Sequence, residues 1–200
     1  MEIEILKTDG FEEAIEAMRL PLKSGDRSDS GQVFRPLSGS YFQIGEKDRE
    51  LSEKLIAGGS SHRKHLRLID AWIKVKAPLF WWKEFDTYRV GVDKLSESTM
   101  HTLMRKPIRE EDFDLPRDEE GRIAFWIALF ISELEDCRQA GNFEALNALL
   151  PQSYIQTRII KVSYEALRSI YFERRYHVLP QWRAFCEALK ELPESSWITD

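Results

Sequence analysis

Apolar and polar positions alternate over Met1–Leu6, with Ile3 and Ile5 against Glu2 and Glu4, and this period of two predicts a short half-buried strand. The period turns helical over Phe11–Leu20, where Phe11, Ala14, Ile15 and Met18 share a side, Asp9 is placed to cap the N-terminus and Pro21 stops the run. Lys23–Gln32 is rich in Ser, Gly and Asp and weakly apolar, the pattern of a mobile loop. Lys47–Ile56 reads as a polar-faced helix that ends at Gly58-Gly59. Over Leu66–Lys76 the residues Leu68, Ile69, Ala71, Ile73 and Val75 nearly alternate with Arg67, Asp70, Lys74 and Lys76, as in a strand with one wet face. Pro78 ends that strand and suits the first turn of a helix over Leu79–Asp86. Val90–Met104 mixes small and polar residues without a period, and Pro107–Glu120 is acidic and irregular.

The second half is more regular. A helix is expected over Ile123–Arg138 with Gly141 behind it, and Asn142 caps a short one over Phe143–Leu150 before Pro151. Thr157–Ser163 reads as another strand, and Ser163 is a fitting N-cap for a helix over Tyr164–Tyr176. Pro180 suits the first position of a last helix, striped by Trp182, Phe185, Cys186, Leu189 and Leu192. Helices around a small sheet make the class α+β, expected as a single domain over 1–200.

Composition narrows the function more by exclusion than by assignment. A net charge of −5 argues against a general nucleic-acid binder, and two cysteines are too few for a disulfide framework. The longest apolar run, Ile123–Ile131, is far below a membrane span and the acidic N-terminus is no signal peptide, so the expected location is the cytoplasm. Six Trp in 200 residues exceed what a plain core requires and fit a pocket walled by rings. His62 and His65 stand three apart, but the remaining His and the Cys are scattered and no Cys pair has ligand spacing, so no metal is expected. Neither a G-x-S-x-G elbow nor a phosphate-binding Walker loop occurs.

Three segments concentrate polar chemistry. Lys83–Arg89 packs two acids, two bases and a phenol behind Trp81 and Trp82, which suits an orienting pocket or, more simply, a solvated helix end over core rings. Leu95–His101 offers the hydroxyls of Ser96 and Ser98 where a phosphate is received or a helix is capped. Glu173–His177, followed by Gln181-Trp182-Arg183, gives five Lys/Arg against two Glu from Lys161 to Arg183 in an otherwise acidic chain. Such a local cationic site fits a small anion such as a nucleotide phosphate, or salt bridges across an interface.

Taken in order over Gly58–Phe185, these segments resemble the flavin-dependent thymidylate synthases, which methylate dUMP using FAD. Gly59-Ser60-Ser61-His62 leads into a strand as the family's glycine-histidine segment does, and Val75-Lys76-Ala77-Pro78-Leu79-Phe80 resembles its strand-to-helix step. Leu150-Pro151, Thr157–Ser163, Arg174/Arg175, His177 and Gln181-Trp182 follow the family's order, and Glu84 falls where it has a glutamine near the nucleotide. The signature Arg-His-Arg-x-x-Ser is not kept: aligned from Ala77-Pro78 its basic triplet becomes Thr87-Tyr88-Arg89, and aligned from Ser96 it becomes Asp86-Thr87-Tyr88.

The resemblance implies a small, mostly antiparallel sheet flanked by helices, a homotetramer with sites shared between subunits, and FAD and a pyrimidine nucleotide as ligands. It implies Arg174, Arg175, Ser96, Ser98 and Glu84 around the nucleotide and its phosphate, and Arg89, His62 and Gln181 around the cofactor. Tyr88 as acid, Asp86 as base and His177 are the proton handlers if the chain is a transferase acting on a pyrimidine nucleotide. The missing cations argue against ordinary dUMP methylation, since charge developing on the pyrimidine needs cationic donors. The alternative is a catalytically inactive oligomeric scaffold whose Trp-rich Phe80–Phe85 surface contacts a partner.

Overall fold

A computed structural model describes residues 1–35 and 39–200. In chain order the elements are β1 (Glu2–Asp9), α1 (Phe11–Arg19), β2 (Gly31–Arg35), β3 (Gly39–Gln43), α2 (Glu46–Ala57), β4 (Asp70–Pro78), α3 (Leu79–Phe85), β5 (Val92–Ser96) and α4 (Thr99–Thr102). They continue with α5 (Phe125–Gln139), α6 (Phe143–Leu149), β6 (Ile155–Ser163), α7 (Tyr164–Arg174), α8 (Pro180–Ala188) and α9 (Ser196–Thr199). The class is α+β, as expected.

One sheet is ordered β1-β4-β6-β5 and a second pairs β2 with β3 in antiparallel register. The larger sheet is also antiparallel. Lys74 and Lys76 meet Glu4 and Glu2, Leu79 N–H donates to Tyr154 and Tyr164 N–H to Ile69, and Ser163 N–H donates to Gly91 and Glu97 N–H to Thr157, so in each pair the numbers run in opposite directions.

Contacts gather the chain into two compact units. The first holds Met1–Glu4, Lys74–Tyr88 and Lys94–Ile159; the second holds Ile5–Ile73, Arg89–Asp93 and Ile160–Asp200. In the first, α5 presents Ile127, Ile131 and Leu134 at helical spacing to Leu103, Ile108, Phe113 and Leu146. Trp81, Trp82 and Phe85 of α3 are fully buried in the same unit, with Trp81 stacked on Phe85 at 5.1 Å between centroids. The Trp-rich segment is therefore core, and the partner-facing surface expected of it is corrected by its burial; the exposed rings of this unit are Phe125 and Trp126 on α5. In the second unit the buried side chains include Leu167, Ile170, Trp182, Phe185, Trp197 and Ile198 from α7, α8 and α9.

Local differences from the sequence pattern have physical causes. The strand expected from Leu66 starts at Asp70, because Lys64–Arg67 form a 3-10 turn. Leu66 and Ile69 are buried while Leu68 is exposed, and a spacing of three suits that turn as well as alternation suits a strand. Gly10, not Asp9, caps α1: its φ is +88° and a Cβ there would strike the Leu68 carbonyl, while the Asp9 carboxylate only accepts the Gly10 N–H at 3.0 Å. β5 escaped notice because, at the end of the sheet order, it buries no face and carries no alternation. The Ser-rich stretch read as a loop contains a 3-10 turn, Gly25–Arg27, and the start of β2.

That stretch is organised by Asp48 of α2, whose side chain is fully buried. Asp48 accepts hydrogen bonds from Arg19 Nε, Ser28 Oγ at 2.6 Å, Ser30 Oγ at 2.7 Å and the N–H groups of Asp29 and Ser30. Burial works to raise its pKa, but the bonds from Ser28, Ser30 and Arg19 outweigh burial and hold the carboxyl below its ordinary value. A group whose pKa is depressed by folding contributes stability above its unfolded value and loses it as pH falls. Asp48→Ala, which leaves Arg19 buried without its partner, is expected to cost about 3–5 kcal/mol in denaturant unfolding. The wild type should lose this contribution from about pH 4 downward; a variant as stable as wild type, with the same acid transition, would show that the carboxylate contributes nothing net.

Candidate functional site

In the first unit the chemistry gathers where α3 ends. Trp82 Nε1–H donates to the Gln156 carbonyl at 2.9 Å, which pins α3 to β6, and Gln156 Nε2 donates to the Glu97 carbonyl at 2.8 Å. Arg158, next but one on β6, lies over the Trp82 ring with its guanidinium carbon 4.4 Å from the centroid. Its Nε donates to Gln156 Oε1 at 2.9 Å and one terminal nitrogen donates to Asp86 Oδ1 at 2.9 Å. Lys94 of β5 reaches the same carboxylate oxygen at 2.5 Å. Burial works to raise the Asp86 pKa, but the hydrogen bond from Lys94 and the charge of Arg158 outweigh it and hold the carboxyl below its ordinary value. Asp86 in this state is the counterion of two cations and a poor proton acceptor.

Glu84 and Tyr88 flank this network, half-buried on α3 and just past its end. Ser96 ends β5, and Ser98 stands at the N-cap position of α4, where its carbonyl receives His101 and Thr102 N–H but its hydroxyl makes no cap bond. Arg158, Lys94 and Gln156 were missed by sequence reasoning. Arg158 sits inside a segment read only as a strand.

In the second unit, Arg174, His177 and Gln181 gather at the turn from α7 to α8. The Arg174 guanidinium carbon is 4.8 Å from the Trp182 ring centroid, and the His177 ring meets the same ring edge-on at 6.3 Å. His177 Nδ1 accepts the Leu179 N–H at 3.2 Å, which orients the imidazole. Gln181 is half-buried on the first turn of α8. Arg175 does not join them: it lies among Tyr171, Phe172 and Tyr176, 4.6 Å from the Phe172 centroid. The two adjacent arginines thus face different sets of rings. Arg89 is exposed in the turn before β5. Cys186 is buried, and burial together with the Glu187 charge pushes its thiol up to about 12, so it is no nucleophile.

His62 lines a separate pocket of about 1190 Å³ in this second unit. Its walls include the aliphatic side chains of Met18, Leu22, Leu51, Leu55 and Leu68 and the basic side chains of Lys23, Arg27, Lys64 and Arg67. His65, also on its wall, is buried and bonded through Nε2 to Ser52 Oγ at 2.7 Å. Burial lowers its pKa to about 4 against the opposing charge of Glu165, so it is neutral at pH 7. Among the described residues no three His, Cys, Asp or Glu side chains gather into a metal-sized group, and no helix is long and apolar enough to cross a membrane.

No protein-family model and no curated protein sequence matches the chain. Solved structures do. A flavin-dependent thymidylate synthase from Helicobacter pylori complexed with FAD and dUMP has a TM-score of 0.75 at 18% identity, over 99% of this chain and 98% of that one. A second structure of the Helicobacter pylori enzyme with FAD and dUMP gives 0.74, again at 18%, over 98% and 96%. A UMP/dUMP methylase from Streptomyces cacaoi bound with 5-Br dUMP gives 0.65 at 15%, over 94% and 88%. At these identities the likeness shows the fold, which is the one the sequence resemblance implied.

The Asp86 network is open to direct measurement. Lys94→Ala removes the hydrogen bond that holds the carboxyl down and is expected to raise the Asp86 pKa in a carboxyl-carbon NMR titration; an unmoved pKa would leave Arg158 alone as the cause.

Proposed function

We propose that this chain is a diverged flavin-dependent thymidylate synthase-like protein that binds a pyrimidine nucleotide, a flavin or both, and does not methylate dUMP in the ordinary way. The observation that carries this reading is a fold likeness running the whole length of the chain to proteins solved with FAD and dUMP. Arg174 would hold the nucleotide phosphate, while Arg175, lying among Tyr171, Phe172 and Tyr176, would not share it. His62 would face the cofactor.

The pocket beside His62 is as large as a small-molecule site for a dinucleotide-sized ligand needs, and it joins an aliphatic wall to cationic groups, so its residues fit a flavin nucleotide. When bound, FAD supplies hydride transfer. Loss of ordinary methylation is supported from two sides. The Arg-His-Arg triplet is replaced, and Asp86, held ionised by Lys94 and Arg158, is a weak base at neutral pH. Tyr88 as acid and His177 are then the proton handlers left to any remaining transferase chemistry. The same reading makes the chain a cytoplasmic homo-oligomer, tetrameric with sites between subunits.

The test is an absorbance spectrum of the purified protein followed by thermal shifts with FAD, FMN, dUMP and dTMP. A flavin band or stabilisation by a nucleotide is expected; a colourless protein indifferent to all four would remove this reading and leave an inactive scaffold. Arg174→Ala is expected to weaken nucleotide binding by roughly tenfold or more, the scale of a charge-assisted contact, while the protein stays folded. Unchanged affinity by calorimetry would sink the role given to Arg174.

A further inference from the structure

Asp86 is held in a different way from Asp48. Asp48 is fully buried and accepts from Arg19 and from the hydroxyls and N–H groups of the Ser28–Ser30 stretch. Asp86 keeps 40% of its side chain exposed, and its two ion pairs, with Lys94 at 2.5 Å and Arg158 at 2.9 Å, both fall on Oδ1. The helix that carries it gives no support, since Asp86 is the C-terminal cap of α3 and the dipole there disfavours an anion. The carboxylate is placed by two cations that converge on one point.

Those cations have supports of their own. Arg158, with 13% of its side chain exposed, is stacked over the fully buried Trp82 ring and spends Nε on Gln156 Oε1. Stack and hydrogen bond together aim a terminal nitrogen at the place the Asp86 oxygen occupies. Lys94 rises from β5 with Nζ 5.9 Å from the Phe85 centroid. Two preorganised donors at one point, reached by solvent through the half-exposed carboxylate, are the recognition chemistry of an oxyanion: one oxygen of a phosphate or sulfate group keeps both contacts, and the group brings up to one more negative charge than Asp86. We propose that Lys94 and Arg158 form an oxyanion site for a phosphate or sulfate group, and that Asp86 is its resident occupant, an internal competitor with which the native chain closes the site to anions from solution. A ligand that enters must take both cations from Asp86, so the native site binds oxyanions weakly and removal of the carboxylate opens it. The inference goes beyond the nucleotide reading above and stands on this geometry, not on the likeness to other folds.

Calorimetry with inorganic phosphate at constant ionic strength tests this, with NMR of the Arg158 Nε–H to locate the binding. Asp86→Ala is expected to bind phosphate at least about tenfold more tightly than the native chain, the scale of a charge-assisted contact set free, and the Arg158 signal should move as phosphate is added. Asp86→Asn keeps an oxygen to accept from both cations but carries no charge, and its affinity is expected to fall between the two. Adding Lys94→Ala to Asp86→Ala should remove the gain. A folded Asp86→Ala that binds phosphate no better than the native chain overturns the proposal, as does a gain that survives Lys94→Ala or leaves the Arg158 signal unmoved. Should Asp86→Ala melt below room temperature, millimolar phosphate is expected to restore its fold where chloride at equal ionic strength does not; phosphate that fails to restore it overturns the proposal equally.

Discussion

A carboxylate with no exposed surface must be neutralised where it lies, and in the second unit that requirement on Asp48 arranges everything around it. One partner comes from the end of α1, two hydroxyls and two N–H groups come from the Ser28–Ser30 stretch, and the acid itself comes from α2. Three pieces of chain that share no hydrophobic pattern are thereby fixed to one another. The consequence reaches the pocket beside His62. Part of its wall is built from the residues just before and just within the stretch that Asp48 holds, so Lys23 and Arg27 are presented by a segment anchored through hydrogen bonds.

This kind of order is hard to read in a sequence. Helices with a buried stripe were legible: α5 shows Ile127, Ile131 and Leu134, α8 shows Trp182, Phe185 and Cys186, and caps such as Asn142 and Ser163 make the bonds expected of them, to Ala145 and Ala166. In each case one periodic face or one short-range hydrogen bond decides the conformation. Asp48 looked like any acid near the start of a polar helix, because its partners lie 18 to 29 residues away. β5 left no trace because its pairing is through the backbone and its side chains meet water. Leu66–Ile69 was misread because a period of three and a period of two give similar apolar spacings over four residues.

The candidate chemistry divides the same way. Arg174, His177 and Gln181 were found because they cluster in sequence and the turn between α7 and α8 keeps them together. Arg158 was not, because one arginine within a strand of mixed polarity is ordinary, and its significance lies in meeting Trp82 and Asp86 from a distant part of the chain. Adjacent Arg174 and Arg175 were read as one cationic patch, but neighbouring residues at a helix end point about 100° apart. They settle on different rings.

What a cation can do depends on whether something has already neutralised it. Around Asp86, Lys94 and Arg158 are held by a carboxylate, and Arg158 is also spread over an indole; their charge is committed to fixing α3 against β5 and β6. A ligand binding there by charge would have to displace Asp86 and strand it. Around His62 no such exchange is required, since Lys23, Arg27, Lys64 and Arg67 are exposed to solvent. Exposed charges of this kind are screened by water and salt, and Asp26 stands among them. The fold alone does not say which anion arrives. The distribution of cations separates a network that holds α3 against β5 and β6 from side chains that remain exposed to solvent.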